Sequence, residues 1–310
     1  MKTVRALTLQ TYGGPEATRL SAVPAPTAGP GQVLVSVRAA GLNALDWKVR
    51  EGLVRDAFPL ALPAVLGLEL AGVVEAIGAG VTRLRPGDRV MGPLGRLGAY
   101  AELVAVDEAR LALTPAALTD VAAAALPVAA MAGWQSLYFA GPVWGGQRVL
   151  VHGAAGALGR FAVQFAKRAG AFVVATAAGR DVAALRALGV DQVIDHETQR
   201  FEELVSDIHL VLDYVGGEVL ERTWPVVAKG GVVVGTSSPE ILTRTPAGQR
   251  GLWFVMTPDA ALLARLAQQV ARGELQAPVG QVLPLADLPA AIERHRTGAL
   301  RGKTVIDFTA

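Results

Sequence analysis

The chain has no cysteine, which excludes disulfides, iron–sulfur clusters and any zinc site built on thiolates. Histidine is scarce: only His152, His196, His209 and His295 occur, and no two stand four residues apart. No metal centre is expected. Charge is sparse, at 18% of residues, and nearly balanced, with 29 basic against 27 acidic side chains. The five lysines and the scattered arginines form no basic stripe interleaved with aromatics, so no nucleic-acid partner is expected. A convincing membrane span is also missing. The segment from Val121 to Gln147 carries no charge, but Pro127, Gly133, Gln135, Ser136, Gly141 and Pro142 punctuate it. A span needs about 20 predominantly apolar residues, so the segment reads as a buried helix plus turn, with no membrane partner. The N-terminus lacks the apolar stretch of a signal peptide, and a cytoplasmic location is expected. No tyrosine has a lysine four residues later. Gly302-Lys303-Thr304 lacks both the spaced first glycine and the following helix of a triphosphate-binding loop.

What is present suggests about two domains in 310 residues. The first third reads as short strands separated by Gly and Pro, among them Val4–Leu9, Val33–Val37, Leu70–Ile77, Arg89–Met91 and Ala101–Val106. Past about residue 120, strands alternate with helical patterns, the texture of a parallel sheet. Strands are predicted at Val149–His152, Phe172–Thr176, Gln192–Ile194, Leu210–Asp213, Gly231–Gly235 and Leu252–Met256. The tail beyond Pro258 holds two helices and two strands, Val279–Leu283 and Lys303–Phe308. It resembles the first part, so the β-rich domain is predicted to be discontinuous, 1–120 with 257–310, around a dinucleotide-binding domain at 121–256.

The most informative segment is Val149-Leu-Val-His-Gly153-Ala-Ala-Gly156-Ala-Leu-Gly159. A strand runs into Gly153, Gly156 and Gly159, and an amphipathic helix follows with Leu158, Phe161, Ala162, Phe165, Ala166 and Ala169 on one face. A pyrophosphate can sit on the N-terminal amides of such a helix only where no side chain blocks the approach. In an NAD site a carboxylate ends the second strand and binds the ribose 2′-hydroxyl. Here that end reads Val174-Ala-Thr176-Ala-Ala-Gly179-Arg180. A small residue plus arginine suits a 2′-phosphate, so NADP(H) is the expected cofactor, with Thr176 and Arg180 in its site.

The order of motifs resembles the zinc-independent quinone oxidoreductases, a zeta-crystallin-like branch of the medium-chain dehydrogenase/reductase superfamily. The likeness runs through Gly41-Leu-Asn43-Ala-Leu-Asp46-Trp47-Lys48, Leu66-Gly67-Leu68-Glu69, Pro86-Gly87-Asp88, Gly98-Ala-Tyr100-Ala-Glu102, the glycine-rich turn, Asp213-Tyr-Val215-Gly216-Gly217 and Arg301-Gly302-Lys303. It implies an α/β fold: a doubly wound Rossmann domain plus a discontinuous GroES-like β-barrel. It also implies hydride transfer from NADPH, without metal, to a quinone or α,β-unsaturated carbonyl. Asn43 and Leu68 stand where zinc-dependent relatives carry ligands, beside Glu69, which reads as a structural hydrogen-bond acceptor. By position, Asn43 and Lys48 are the candidates for substrate positioning or polarisation, with Asp46 structural.

The resemblance places Ala155, Ala157 and Leu158 with the glycines on the pyrophosphate. It sets His196 near the adenosine 2′-phosphate, Val215, Thr236 and Phe254 around the nicotinamide ribose and ring, and Lys303 toward the cofactor. Ala132 stands where many relatives have threonine. A homodimer through the Leu252–Met256 strand is expected. Two other readings stay open at this stage: a non-catalytic NADPH-binding protein and an enoyl-thioester reductase.

Overall fold

A computed structural model describes every residue except Met1 and Phe58. In chain order it has β1 (Thr3–Leu9), β2 (Thr18–Pro24), β3 (Gln32–Gly41), α1 (Ala44–Arg50), β4 (Ala64–Val65), β5 (Glu69–Ile77), β6 (Arg89–Pro93), β7 (Leu103–Asp107), β8 (Ala112–Leu113) and α2 (Asp120–Ala124). There follow α3 (Pro127–Tyr138), β9 (Arg148–His152), α4 (Ala157–Arg168), β10 (Phe172–Ala177), α5 (Val182–Ala187), β11 (Gln192–Asp195), β12 (Ile208–Asp213), α6 (Glu218–Thr223), β13 (Val227–Gly235), α7 (Ile241–Arg244) and β14 (Arg250–Trp253). The tail forms α8 (Ala260–Ala271), β15 (Val279–Pro284), α9 (Leu288–Arg296) and β16 (Lys303–Asp307). Two compact units result, Met1–Val128 with Pro258–Ala310, and Ala129–Thr257.

In the first unit, a mixed sheet runs β15-β16-β3-β5-β6-β8, with β7 also paired to β3, and a smaller sheet runs β2-β1-β4. Val33, Val35 and Val37 alternate on β3 and pack inward with Leu70, Val74 and Val90, the period-two pattern that marked this strand in sequence. The tail strand β16 pairs antiparallel with the end of β3, Val305 opposite Gly41. That pairing brings residue 303 back to the segment around residue 43. Helix α2 lies in this unit because it packs on β3 and β5. This unit therefore runs through Val128.

In the second unit, six parallel strands lie in the order β11-β10-β9-β12-β13-β14. This is the 3-2-1-4-5-6 doubly wound order, whose reversal beside β9 opens a crevice at the carboxyl ends of the strands. The strand expected to run to Met256 stops at Trp253. Beyond it, Phe254 turns into the unit and meets Phe139 edge-on at 5.3 Å between centroids. Thr257 is then tied to Gln135 of α3 by a reciprocal pair, Nε2 to the Thr257 carbonyl at 2.8 Å and the Thr257 amide to Oε1 at 3.0 Å. These contacts divert the chain from the sheet, so Phe254–Met256 supply no edge strand. Among the described residues no helix is long and apolar enough to cross a membrane.

Candidate active-site and cofactor-binding residues

The candidate residues gather in two side-chain clusters, one in each unit. In the first, β3 ends at Gly41 and α1 begins after Asn43, its N-cap. Asp46, three residues on, reaches back to accept the Asn43 amide at 2.7 Å, one half of a capping box. The Asn43 side chain, facing the Asp46 amide in the other half of the box, has further partners. Its Nδ2 donates to Glu69 Oε1 at 2.8 Å and to the Gly41 carbonyl at 3.1 Å, and its Oδ1 accepts from Lys303 Nζ at 2.7 Å. Lys303 also donates to Glu69 Oε1, and the Val128 amide donates to Glu69 Oε2 at 2.7 Å. Both amide hydrogens of Asn43 are committed, so the one function it retains is as an acceptor. A Cβ on Gly41 would lie 2.5 Å from Glu69 Oε1 and 2.7 Å from Lys303 Cε, so the cluster closes only around a glycine.

Asp46 is completely buried. The Tyr100 hydroxyl donates to its Oδ2 at 2.6 Å, while its Oδ1 has no partner. Burial pushes its carboxyl up to about 6, against the pull of the Tyr100 and Asn43 hydrogen bonds. Burial, then the neighbouring Asp46, raises the Tyr100 phenol well above its ordinary value. The Lys48 ammonium lies 5.7 Å from the centroid of the Trp47 ring, and partial burial lowers its pKa. A partly desolvated cation of this kind can stabilise a developing oxyanion.

In the second unit, Gly153 takes φ +69° at the end of β9, Gly156 is the N-cap of α4, and no side chain caps that helix. A Cβ on Gly159 would lie 2.4 Å from the Gly153 carbonyl oxygen and 2.6 Å from Ala154 Cα. The third glycine thus lets α4 press against the end of its strand, leaving the helix-opening amides for an anion. Ala155, Ala157 and Leu158 are partly exposed on this turn. This cradle fits a dinucleotide pyrophosphate.

The other expected cofactor residues sit at neighbouring strand ends. Val215 is 49% exposed and follows β12, Thr236 follows β13 with its amide on the Asp213 carbonyl at 3.1 Å, and the buried Phe254 follows β14. Asp213 fixes the first of these turns, its Oδ1 accepting the amides of Val215 and Gly216 at 2.9 Å each. Arg180 and His196 are exposed beyond β10 and β11. Lys303 lies in the first unit with its side chain 1% exposed and its ammonium on Glu69 and Asn43.

The Thr176 hydroxyl bonds His152 Nδ1 at 2.9 Å, and His152 Nε2 meets the Thr223 hydroxyl at 3.0 Å. Thr223 gives its own hydrogen to the Val219 carbonyl at 2.7 Å. It must therefore accept from His152, which fixes the proton on Nε2 and makes Thr176 the donor to Nδ1. The ring is fully buried, and burial lowers its pKa to about 3. It is a neutral internal strut.

Sequence reasoning did not find the link from Tyr100 to Asp46 or that from Lys303 to Asn43. The available signal was weak: an isolated tyrosine in a strand-rich stretch, and a lysine opening the last strand.

Residues 29–116 match the alcohol dehydrogenase GroES-like domain, and residues 188–306 match the zinc-binding dehydrogenase domain. The 2-methylene-furan-3-one reductase of Solanum lycopersicum is 33% identical over 98% of this chain and 79% of its own length. The chain belongs to the medium-chain dehydrogenase/reductase family. Its fold is the family's, a GroES-like domain plus a Rossmann domain. The quinone oxidoreductase of Coxiella burnetii superposes with a TM-score of 0.94 at 29% identity, covering 99% of both chains. The Escherichia coli quinone oxidoreductase complexed with NADPH superposes with a TM-score of 0.87 at 26% identity, covering 98% of this chain and 99% of that one.

One of the two family descriptions names zinc binding. Among the described residues no group of three or more His, Asp or Glu side chains could hold a metal. Leu68 cannot ligate, and the Glu69 oxygens already accept from Lys303, Asn43 and the Val128 amide.

Proposed function

We propose that this oxidoreductase binds NADPH and reduces a quinone or an α,β-unsaturated carbonyl without a metal. The observation that carries the reading is the glycine-rich turn, where Gly159 leaves no room for a Cβ and no side chain caps α4. Bound there, the dinucleotide supplies a hydride to an electron-poor carbon. Gly153, Ala155, Gly156, Ala157, Leu158 and Gly159 hold its pyrophosphate. Val215, Thr236 and Phe254 line its nicotinamide end, and Thr176, Arg180 and His196 its adenosine end. The names of the relatives, which include quinone oxidoreductases and a 2-methylene-furan-3-one reductase, support this acceptor class.

Asn43, locked by Lys303 and Glu69, offers one acceptor of fixed direction and positions what lies against it. Lys48 supplies positive charge to the oxygen that gains electrons, and Lys303 acts by holding Asn43. Purified protein mixed with NADPH and either a naphthoquinone or a small alkenone should oxidise the cofactor at a rate unchanged by a chelator. Oxidation of alcohols alone, abolished by the chelator, would overturn the reading. Cofactor binding without turnover of any acceptor would instead identify a non-catalytic binding protein.

The Arg180 guanidinium lies 3.8 Å from the Asp181 carboxylate and stays half exposed. A charge-assisted contact to a 2′-phosphate is worth about 1.5–3 kcal/mol. Arg180→Ala should therefore cut the preference for NADPH over NADH by roughly ten- to a hundredfold, read from the two dissociation constants. An unchanged preference would refute the assignment.

The working molecule is a homodimer in the cytoplasm. Its interface forms along β14, one edge of the six-stranded sheet, with Val255 beside it 66% exposed. Sedimentation at micromolar concentration should give twice the chain mass of 32.2 kDa. A monomer would contradict it.

A further inference from the structure

We infer that Glu197 restrains the preference for NADPH through the negative charge that its carboxylate, seated on the Gly179 amide, places where a 2′-phosphate would bind. The inference rests on the cofactor reading above and adds a specificity residue to that site. In the doubly wound fold the end of the second strand faces the adenosine ribose. Here that strand is β10, ending at Ala177, and the chain continues through Gly179 and Arg180. The loop after β11 is drawn to the same place by the His196 amide, which donates to the Ala177 carbonyl at 3.0 Å. The next residue, Glu197, accepts the Gly179 amide on Oε2 at 3.1 Å, and its own amide donates to Asp195 Oδ1 at 3.0 Å.

Asp195 closes the other side. A Cβ on Gly179 would lie 2.6 Å from Asp195 Oδ2. Asp181 takes a third position, its carboxylate 3.6 Å from Arg160 and 3.8 Å from Arg180. Three carboxylates therefore stand among two guanidiniums where a phosphate would have to sit, and one of them occupies an amide donor.

A phosphate monoester carries nearly two negative charges near neutral pH. Seating one beside Arg180 requires the Glu197 carboxylate to tolerate the added charge at short range. An unphosphorylated ribose does not, because the carboxylate can stay and accept a ribose hydroxyl. Arg180 pulls toward NADPH while Glu197 pulls toward NADH, and the balance between them sets the selectivity.

The test is a calorimetric titration of each dinucleotide into wild type, Glu197→Gln and Glu221→Gln. Glutamine keeps an acceptor for the Gly179 amide and removes only the charge. Glu221 on α6, ion-paired to Arg244 at the end of α7, controls for loss of a charge elsewhere on the same unit. Glu197→Gln should raise the ratio of the NADH to the NADPH dissociation constant about tenfold, through tighter NADPH binding, an effect of the size expected for one charge at short range. Glu221→Gln should leave the ratio within about twofold. An unchanged ratio in Glu197→Gln, or an equal rise in both variants, overturns the inference while leaving the cofactor reading intact. Wild type binding neither dinucleotide overturns both.

Discussion

Replacing Lys303 with methionine should destabilise the protein by about 3–5 kcal/mol, the cost of stranding one member of a buried ion pair. The Lys303 and Glu69 side chains are 1% and 0% exposed. Without the ammonium, Glu69 keeps only the Asn43 and Val128 donors for a buried negative charge. The pair contributes less than that cost suggests, because desolvating two charges opposes their attraction. Glu69→Gln combined with Lys303→Met should therefore recover much of the loss, and the two single variants should not add. Denaturant unfolding of the four proteins reads this directly. A loss below about 1 kcal/mol in Lys303→Met would show that the pair is hydrated and exposed in solution.

Acid should destabilise the second unit through His152. In the unfolded chain this imidazole titrates near 6.5, and in the fold burial holds it at about 3. The unfolded state therefore binds the extra proton first, and stability falls as pH drops from about 6.5 toward 3. The full contribution is about 5 kcal/mol at 1.36 kcal/mol for each pH unit between the two values. His295, lowered to about 4 by burial and by the charge of Lys303, acts in the same direction. Asp46 acts oppositely: its carboxyl is raised from 3.8 to about 6, so lowering pH between those values stabilises the fold.

His152→Gln isolates the first effect. A glutamine amide can accept from Thr176 and donate to Thr223 as the Nε2–H tautomer does, yet it takes up no proton. Stability measured against pH should show a shallower acid limb in this variant. Superimposable limbs would mean that His152 is already hydrated in the native protein.

Much of the fold was legible because its signals are local. Buried strands bounded by glycine, and the apolar face of α4 from Phe161 to Phe165, marked the parallel sheet within an error of a few residues. β2 escaped notice because it is largely exposed and ends at Pro24, features that read equally well as loop. The end of β14 was misplaced because Phe254, Val255 and Met256 continue an apolar run whose diversion depends on Gln135, 122 residues from its partner Thr257.

The site divides the same way. The cofactor turn could be read from three glycines, since the demand for a bare backbone is written in the residues themselves. The pairing of Lys303 with Asn43 joins positions 260 apart, and that of His152 with Thr223 joins positions 71 apart. Such contacts are set by the order of strands in a sheet, and no short window of sequence contains them. Glu197 was hidden for the same reason: its role depends on the loop after β11 returning to the end of β10.

Everything proposed for the reaction depends on a nicotinamide dinucleotide gripping the turn between β9 and α4. Calorimetric titration of NADPH and NADH into wild type and Gly159→Val measures that grip. The expected result is saturable binding to wild type, stronger for NADPH, with binding lost in a Gly159→Val protein that still folds by circular dichroism. Wild type that takes up neither cofactor, or a folded Gly159→Val protein that binds as tightly as wild type, would contradict the account.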